Sequence, residues 1–302
     1  MRLLVVTARY PSPDRPAAGA FVRDRLADPL LDSVVIAPRN YATPGWRRYL
    51  SMLWSAVTRR GRFDGVEGHF VLPSGVVALL AARLRRLPLV IVAHGADVRE
   101  MANRSRVYRW LAQRVVRGAD AVVVNSAQTA SQVRRLGGEP TVAPPGVDLA
   151  RFVARPLPQG RRVLYLGGDI PHKGFEIARE LADTLVGPGI REVSPAEIPL
   201  LMSEHFAVLV PSHDEPFGLV AAEAIASGRW VVARSVGGLT DIVIDGVNGF
   251  LVSDGAFADA IARVPDYDPA SLAATARRFS IEIYRERMRA IWSAVIAGTR
   301  AV

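Results

Sequence analysis

The chain has 302 residues, half of them apolar, with 38 basic and 29 acidic side chains and a net charge of +9. That is enough apolar material for one large or two medium cores, and too much for a disordered chain. The absence of cysteine excludes disulfides, thiol catalysis and cysteine-held zinc or iron–sulfur groups, and five histidines leave little from which to build a metal site.

No apolar run reaches the roughly 18 to 20 residues that a membrane span needs. The chain opens directly on the strand-like Met1-Arg2-Leu3-Leu4-Val5-Val6, so neither a signal peptide nor a membrane helix is expected and the expected location is cytoplasmic. Residues 1–152 hold 23 basic and 11 acidic groups, and residues 153–302 hold 15 and 18, so the halves carry +12 and −3. This asymmetry predicts two domains, the basic one facing an anionic partner such as a membrane leaflet or a phosphorylated acceptor. Nucleic acid is not the expected partner, because the basic residues are scattered and no binding motif is present. Of the 38 basic residues 37 are arginine, and the single lysine is Lys173.

In chain order, short apolar runs at 3–8, 33–37, 89–93 and 121–124 alternate with helix-period segments such as 104–117 and 126–136. That alternation predicts a doubly wound parallel α/β sheet. The Pro-rich stretch Arg155-Pro156-Leu157-Pro158-Gln159-Gly160 reads as a linker. A second α/β unit then starts at 162–167, continues with strands near 207–211, 230–234 and 249–252, and ends in a long helical stretch over 269–298. The predicted domains are 1–152 and 153–302, with the final helix able to pack back on the first. Two such Rossmann-like units would face a central cleft at the carboxyl ends of their strands, where ligands of these folds bind.

The segment Pro211-Ser212-His213-Asp214-Glu215-Pro216-Phe217-Gly218-Leu219-Val220-Ala221-Ala222-Glu223-Ala224 carries the densest chemistry. A buried strand ends at Pro211, a turn presents Glu215, and a helix starts near Gly218 with Glu223 a turn and a half inside it. Free N–H groups at a helix N-terminus suit a diphosphate, and carboxylates beside it can accept hydrogen bonds from sugar hydroxyls. Taken singly, Glu215 also fits a solvated turn acid and Glu223 a helix-face acid.

Those residues, together with Ala226-Ser227-Gly228 and Val236-Gly237-Gly238-Leu239-Thr240-Asp241 through Gly249-Phe250-Leu251-Val252, resemble the donor domain of retaining glycosyltransferase family 4. The resemblance implies a GT-B fold with the nucleotide-sugar held by the second domain. It implies that Glu223 binds the ribose, that Glu215 binds the transferred sugar, and that the amides of Phe217, Gly218, Leu219 and Val220 lie near the diphosphate. Gly167-Gly168-Asp169-Ile170-Pro171-His172-Lys173-Gly174 sits where the family has G-R-x-x-x-x-K-G, so Lys173 would neutralise the departing diphosphate. Gly168 replaces the family's arginine, and a lost charge-assisted contact in a desolvated site costs roughly 1.5 to 3 kcal/mol. Arg9 and Arg23 are the candidates to substitute for it.

In the first domain Ala93-His94-Gly95-Ala96-Asp97 resembles the family's H-G-x-D element, which implies a hydrogen bond from His94 to the donor sugar. The loop from Tyr10-Pro11-Ser12-Pro13 to Gly19-Ala20-Phe21 is similar to the family's glycine loop, with Gly19 permitting close backbone approach. Val124-Asn125-Ser126 and Pro144-Pro145-Gly146-Val147-Asp148 also match, and Asp148 reads as structural. Between Lys173 and Glu215 one α/β segment of the family is missing, so base recognition is the weakest part of the match.

The resemblance implies same-face displacement assisted by the leaving diphosphate, with no metal and no cofactor. The alternative carried by the sequence is a non-catalytic binder of a nucleotide-sugar or glycan. Asp266-Tyr267-Asp268, the one D-x-D pattern, reads as a solvated turn. The expected partners are a nucleotide-sugar donor, UDP-linked first and GDP-mannose next, and a glycan or lipid-linked acceptor of polysaccharide biosynthesis. Residues 46–62 mix Trp, Tyr, Leu and Arg at helical spacing, which suits either an anionic membrane surface, and so a peripheral location at the inner face, or a helix packing its aromatics on the sheet.

Overall fold

The structure, a computed structural model, describes residues 1–12, 18–38, 45–253 and 255–300. Pro13 and its neighbours in the early loop lie outside the described residues. Backbone contacts divide the chain into two units, Met1–Pro144 with Tyr284–Val302, and Pro145–Ile283. The division falls ahead of the boundary expected at residue 152, and the chain crosses between units twice.

In the first unit the elements are β1 (Arg2–Thr7), α1 (Ala20–Leu26), β2 (Asp32–Ile36), α2 (Gly45–Thr58), β3 (Gly65–His69), α3 (Ser74–Arg85), β4 (Leu89–Ala93), α4 (Arg106–Arg117), β5 (Ala121–Val124), α5 (Ala127–Arg135) and β6 (Pro140–Val142). The sheet is parallel with order β2-β1-β3-β4-β5-β6. Apolar runs such as Leu3–Val6 and Leu89–Ala93 are buried on both faces, as strands covered by helices on each side require. The order reverses between β1 and β3, so the loops after β1, β3 and β4 gather at a topological switch point.

The second unit contains β7 (Val163–Tyr165), α6 (Phe175–Leu181), β8 (Thr184–Leu185), α7 (Ile198–Ser203), β9 (Ala207–Val210), α8 (Leu219–Ala226), β10 (Trp230–Arg234), α9 (Leu239–Ile242), β11 (Gly249–Val252), α10 (Phe257–Ala262) and α11 (Pro269–Ala274). Its parallel sheet runs β11-β10-β9-β7-β8, with the reversal between β7 and β9. Between Lys173 and Glu215 the only strands are the two-residue β8 and β9 itself.

Two sequence expectations are corrected. The stretch 269–298 is not one helix: α11 stops, a 3-10 turn covers Arg277–Phe279, and α12 (Ile281–Arg300) starts afresh. The cause is a bridge in which Val147 N–H donates to Phe279 C=O and Ile281 N–H to Val147 C=O, at 2.7 and 2.9 Å. Backbone committed to that bridge is extended at Ser280, whose hydroxyl accepts from Ile283 N–H at 3.2 Å and so caps α12. Nor is 155–160 a free linker. The buried guanidinium of Arg229 donates to the carbonyls of Arg155, Pro156, Met202, Ser203 and Gly228, which straps that segment to the second unit.

Candidate functional site

In the second unit, the loops after β7 and β9 carry the charged groups, as a switch point between these strands dictates. Lys173 Nζ donates to Glu215 Oε2 at 2.7 Å, and Ser212 Oγ reaches the same oxygen at 3.3 Å. The pair is only partly shielded, with the side chains 28% and 13% exposed. Lys173, Glu215, Gly167, Tyr165, Ser212 and Val220 line one pocket. The sequence expectation thus brings Lys173, Glu215, Gly167 and Val220 together across a separation of 53 positions.

The backbone around the pair is held from several sides. His213 N–H donates to His172 C=O at 2.9 Å, tying the two loops together, and Gly238 N–H donates to Glu215 C=O at 2.9 Å. The Val236-Gly237-Gly238 stretch therefore fixes the Glu215 backbone. Gly218, N-cap of α8, has φ 104°, and a Cβ there would meet Leu239 at 2.7 Å. Leu219 and Val220 open α8, Phe217 is buried beneath, and Glu223 sits partly buried on the helix's second turn. The unpaired N–H end of α8 thus lies next to Glu215.

Tyr165 Oη donates to Gly168 C=O at 3.0 Å and lies close enough to Gly167 that a side chain there would overlap its ring. Burial raises the Tyr165 phenol well above its ordinary value, so it remains a donor. Gly168 itself has φ +73°, and a Cβ would lie 2.7 Å from Pro188 O. An arginine there has no room on this backbone, because the Pro188 turn after β8 lies against it.

The first unit holds a different kind of charge cluster. His94, at the end of β4, is partly exposed, and its ring packs against those of Phe21 and Phe70 at centroid distances of 4.7 and 4.5 Å. Its Nε2 is 3.1 Å from His69 Nδ1, and His69 Nε2 is 3.1 Å from Glu67 Oε1. The other Glu67 oxygen accepts from Trp292 Nε1 at 2.7 Å and Arg25 Nη2 at 3.3 Å. Glu67, His69, Arg25 and Trp292 are all essentially buried. Burial pushes the Glu67 carboxyl up, but Arg25, then His69 and Trp292, outweigh it and hold it at about 2. Burial first, then the neighbouring His69 and Arg9, keep His94 well below the usual imidazole range.

The loop around His94 is pinned by its neighbours. Asp97 accepts from His94 N–H at 3.0 Å and Val71 N–H at 2.6 Å, and Asn125 Nδ2 donates to His94 C=O at 3.1 Å. Burial raises the Asp97 carboxyl to about 6 despite those backbone bonds. Gly19, N-cap of α1, has φ +71°, and any side chain would overlap the Arg9 carbonyl. Glu67, His69 and Trp292 are absent from the sequence expectation. The usable signal was Glu67 and His69 two apart, hence on one face of a strand.

The other sequence candidates resolve structurally. Asp266 pairs with Arg161 at 2.9 Å, Tyr267 Oη donates to Phe206 C=O at 2.5 Å, and Asp268 caps α11 through Ser271 N–H at 2.8 Å. Asp148 accepts from Ala150 and Arg151 N–H, the structural turn that the sequence suggested. On α2, Met52 and Ala56 face the core while Trp46, Leu50 and Trp54 stand 64%, 57% and 72% exposed. The tryptophans do not pack on the sheet.

Comparison with known proteins identifies the family. Residues 1–146 match the glycosyl transferase 4-like domain and residues 190–278 match glycosyl transferases group 1. A D-inositol 3-phosphate glycosyltransferase of Geodermatophilus obscurus is 34% identical over 269 residues, covering 68% of this chain and 59% of that protein. One of Mycobacterium tuberculosis is also 34% identical, over 265 residues, covering 68% and 55%. The chain thus spans less than two thirds of the length of these relatives. Among solved structures, Anabaena HepE in complex with UDP and glucose superposes with a TM-score of 0.76 at 21% identity, covering 97% of this chain and 100% of that one. Sucrose-phosphate synthase of Thermosynechococcus elongatus gives 0.76 at 22% identity, covering 98% and 99%. The chain belongs to the family 4, group 1 glycosyltransferases and has their GT-B fold.

Proposed function

We propose that this protein is a retaining, metal-independent glycosyltransferase of the hexosyl-transferring class. It moves a sugar from a nucleoside-diphosphate donor to a glycan or lipid-linked acceptor of polysaccharide assembly. The observation that carries the reading is the Lys173–Glu215 contact of 2.7 Å beside the α8 N-terminus in one pocket. A cation, a run of free amides and a carboxylate within one site are what a sugar diphosphate asks for. The UDP, UDP and glucose, and UDP-glucose of the HepE structures support a UDP-linked donor, with GDP-mannose next.

In the proposed step the acceptor oxygen bonds to the anomeric carbon on the face from which the diphosphate leaves. The bond from that carbon to the phosphate oxygen breaks, and the acceptor proton passes to the departing diphosphate. Lys173 and the amides of Phe217 to Val220 stabilise the developing charge, the work a metal would otherwise do. Glu215 orients the transferred sugar and Glu223 the ribose, while Gly19, Gly167 and Gly168 keep backbone close to the ligand. His94 hydrogen-bonds the sugar.

A second reading, a binder that does not turn its ligand over, is favoured by one observation, the loss of the family's arginine at Gly168. Melting curves with UDP, GDP, ADP and TDP in EDTA, on wild type and Lys173→Ala, test the donor site. At a hundred times Kd a ligand adds about 2.7 kcal/mol. One nucleotide that stabilises only the wild type identifies the base. No stabilisation by any of them overturns the donor reading, and binding without Glu215-dependent transfer establishes the second one.

The anion facing the first unit is proposed to be a membrane leaflet, with the protein peripheral at the cytoplasmic side. Segments 45–63, 74–88 and 104–119 contain α2, α3 and α4 and carry five, three and five arginines and no acid. α3 touches both of the other helices. Leu84 on α3 and Val107 and Trp110 on α4 join the α2 stripe, at 65%, 64% and 52% exposed. Apolar anchors framed by arginine suit an anionic bilayer better than a nucleic acid. Among the described residues no helix is long and apolar enough to cross a membrane. Co-sedimentation with phosphatidylglycerol vesicles, lost in Trp46→Glu/Trp54→Glu, is the expected outcome; equal recovery with phosphatidylcholine alone would count against it.

A further inference from the structure

The Arg25–Glu67–His69–His94 chain does more than fill the core. β3 is an interior strand, so Glu67 and His69, two apart, project to one face, where Arg25 of α1 and Trp292 of α12 meet them. Glu67 has two oxygens and is acceptor only, with one oxygen committed to Trp292 and Arg25. The other faces His69 Nε2, which must then carry the proton. The charges of Glu67 and Arg25 already balance. A second proton on His69 would place an uncompensated positive charge in a buried site, which is costly. His69 is therefore neutral and its Nδ1 is an acceptor, so His94 Nε2 is the donor across the 3.1 Å contact.

We propose that Glu67 and His69 are positioning residues that fix His94 as the Nε2–H tautomer. This leaves His94 Nδ1 a bare acceptor for a hydroxyl of the bound ligand. Nδ1 has no partner among the described residues, and His94 is the only member of the chain that reaches partly exposed surface. The groups facing its ring are His69, Glu67 and Arg9, with the Phe21 and Phe70 rings also packed against it. Arg9 disfavours a second proton on the ring. A neutral acceptor of this kind receives a sugar O–H and repels nothing on a neutral sugar. That the ligand is a sugar rests on the function proposed above, whereas the tautomer does not.

The test is a long-range proton–nitrogen correlation spectrum of the whole protein with 15N-labelled histidine, from pH 6 to 8. His94→Gln and His69→Gln assign the signals. The expected pattern is a protonated Nε2 and an unprotonated Nδ1 on both His69 and His94 throughout. A protonated Nδ1 on His94, or a doubly protonated His69, overturns the proposal whatever the protein's activity proves to be. In kinetics, His69→Leu frees the His94 ring and should lower kcat/KM for the sugar donor roughly tenfold, the loss of one oriented hydrogen bond. Affinity for the nucleoside diphosphate alone should stay unchanged. His69→Gln keeps an acceptor towards His94 and a donor towards Glu67, and should restore most of the rate. Equal losses in the leucine and glutamine variants would overturn the positioning role. Absence of any transfer by the wild type would instead count against the proposed function, leaving the spectrum to judge the tautomer.

Discussion

The two units handle charge in opposite ways. In the first, Glu67 on an interior strand and Arg25 on α1 are sealed in the core, and the network they belong to draws on α1, β3, the end of β4 and α12. In the second, Lys173 and Glu215 meet across two loops at the rim of a pocket and stay partly open. A sealed network holds one geometry because breaking any member strands a buried charge. An open pair can exchange its partner for a ligand at little cost. The first unit is thus built to orient, the second to engage.

Mutation can break that contrast. Glu67→Ala strands Arg25 in the core and should cost about 3 to 5 kcal/mol, read by urea unfolding at pH 7; a cost below about 1 kcal/mol would show the network to be dispensable. Gly168→Arg, which restores the family's residue, must take up φ +73° against Pro188. It should lose about 1 to 3 kcal/mol without tightening nucleotide binding. Smaller still, Lys173→Ala should change stability by less than about 1 kcal/mol while removing transfer and the nucleotide's effect on melting. A large loss of stability there would make Lys173 a structural residue.

Acid sharpens the same comparison. Glu67 sits at about 2 against an ordinary 4.5, so its contribution is full above pH 4.5 and is lost as pH falls towards 2. His94, held below 6.5, adds a loss that begins once pH drops under that value. Asp97, raised to about 6 from 3.8, acts in the opposite sense: its contribution is full below pH 3.8 and is lost as pH rises through 6. Below pH 4.5 the Glu67 loss dominates, and calorimetry should show the first unit's transition falling more steeply than the second's. Parallel decline of both transitions would remove the distinction.

How much of this the sequence reveals differs between the units for a physical reason. Lys173 and Glu215 lie in loops between apolar strands, where a charge stands out, and their neighbours must be glycine and proline to make the turns. β3 reads Gly-Val-Glu-Gly-His. It lacks the apolar run of a buried strand, and so periodicity does not mark it although it is buried throughout. Its burial depends on partners far away in sequence: a side chain at Gly65 would overlap Trp292, 227 positions on. Likewise the break before α12 follows from a pairing with Val147, which no local periodicity records. The strapped segment 155–160 shows the same limit, since its hydrogen bonds come from Arg229.

The position of Trp292 bears on how the molecule is made. Synthesis runs from the N-terminus, and domains generally fold as units while it proceeds. The first unit's residues through Pro144 emerge early, yet the indole that meets Glu67, and the Arg289 that pairs with Asp28 at 2.5 Å, emerge only after the whole second unit. Until then the central strand of that sheet carries a carboxylate short of a donor and an open slot beside Gly65. The first unit therefore waits on α12, with the second unit free to fold in the interval.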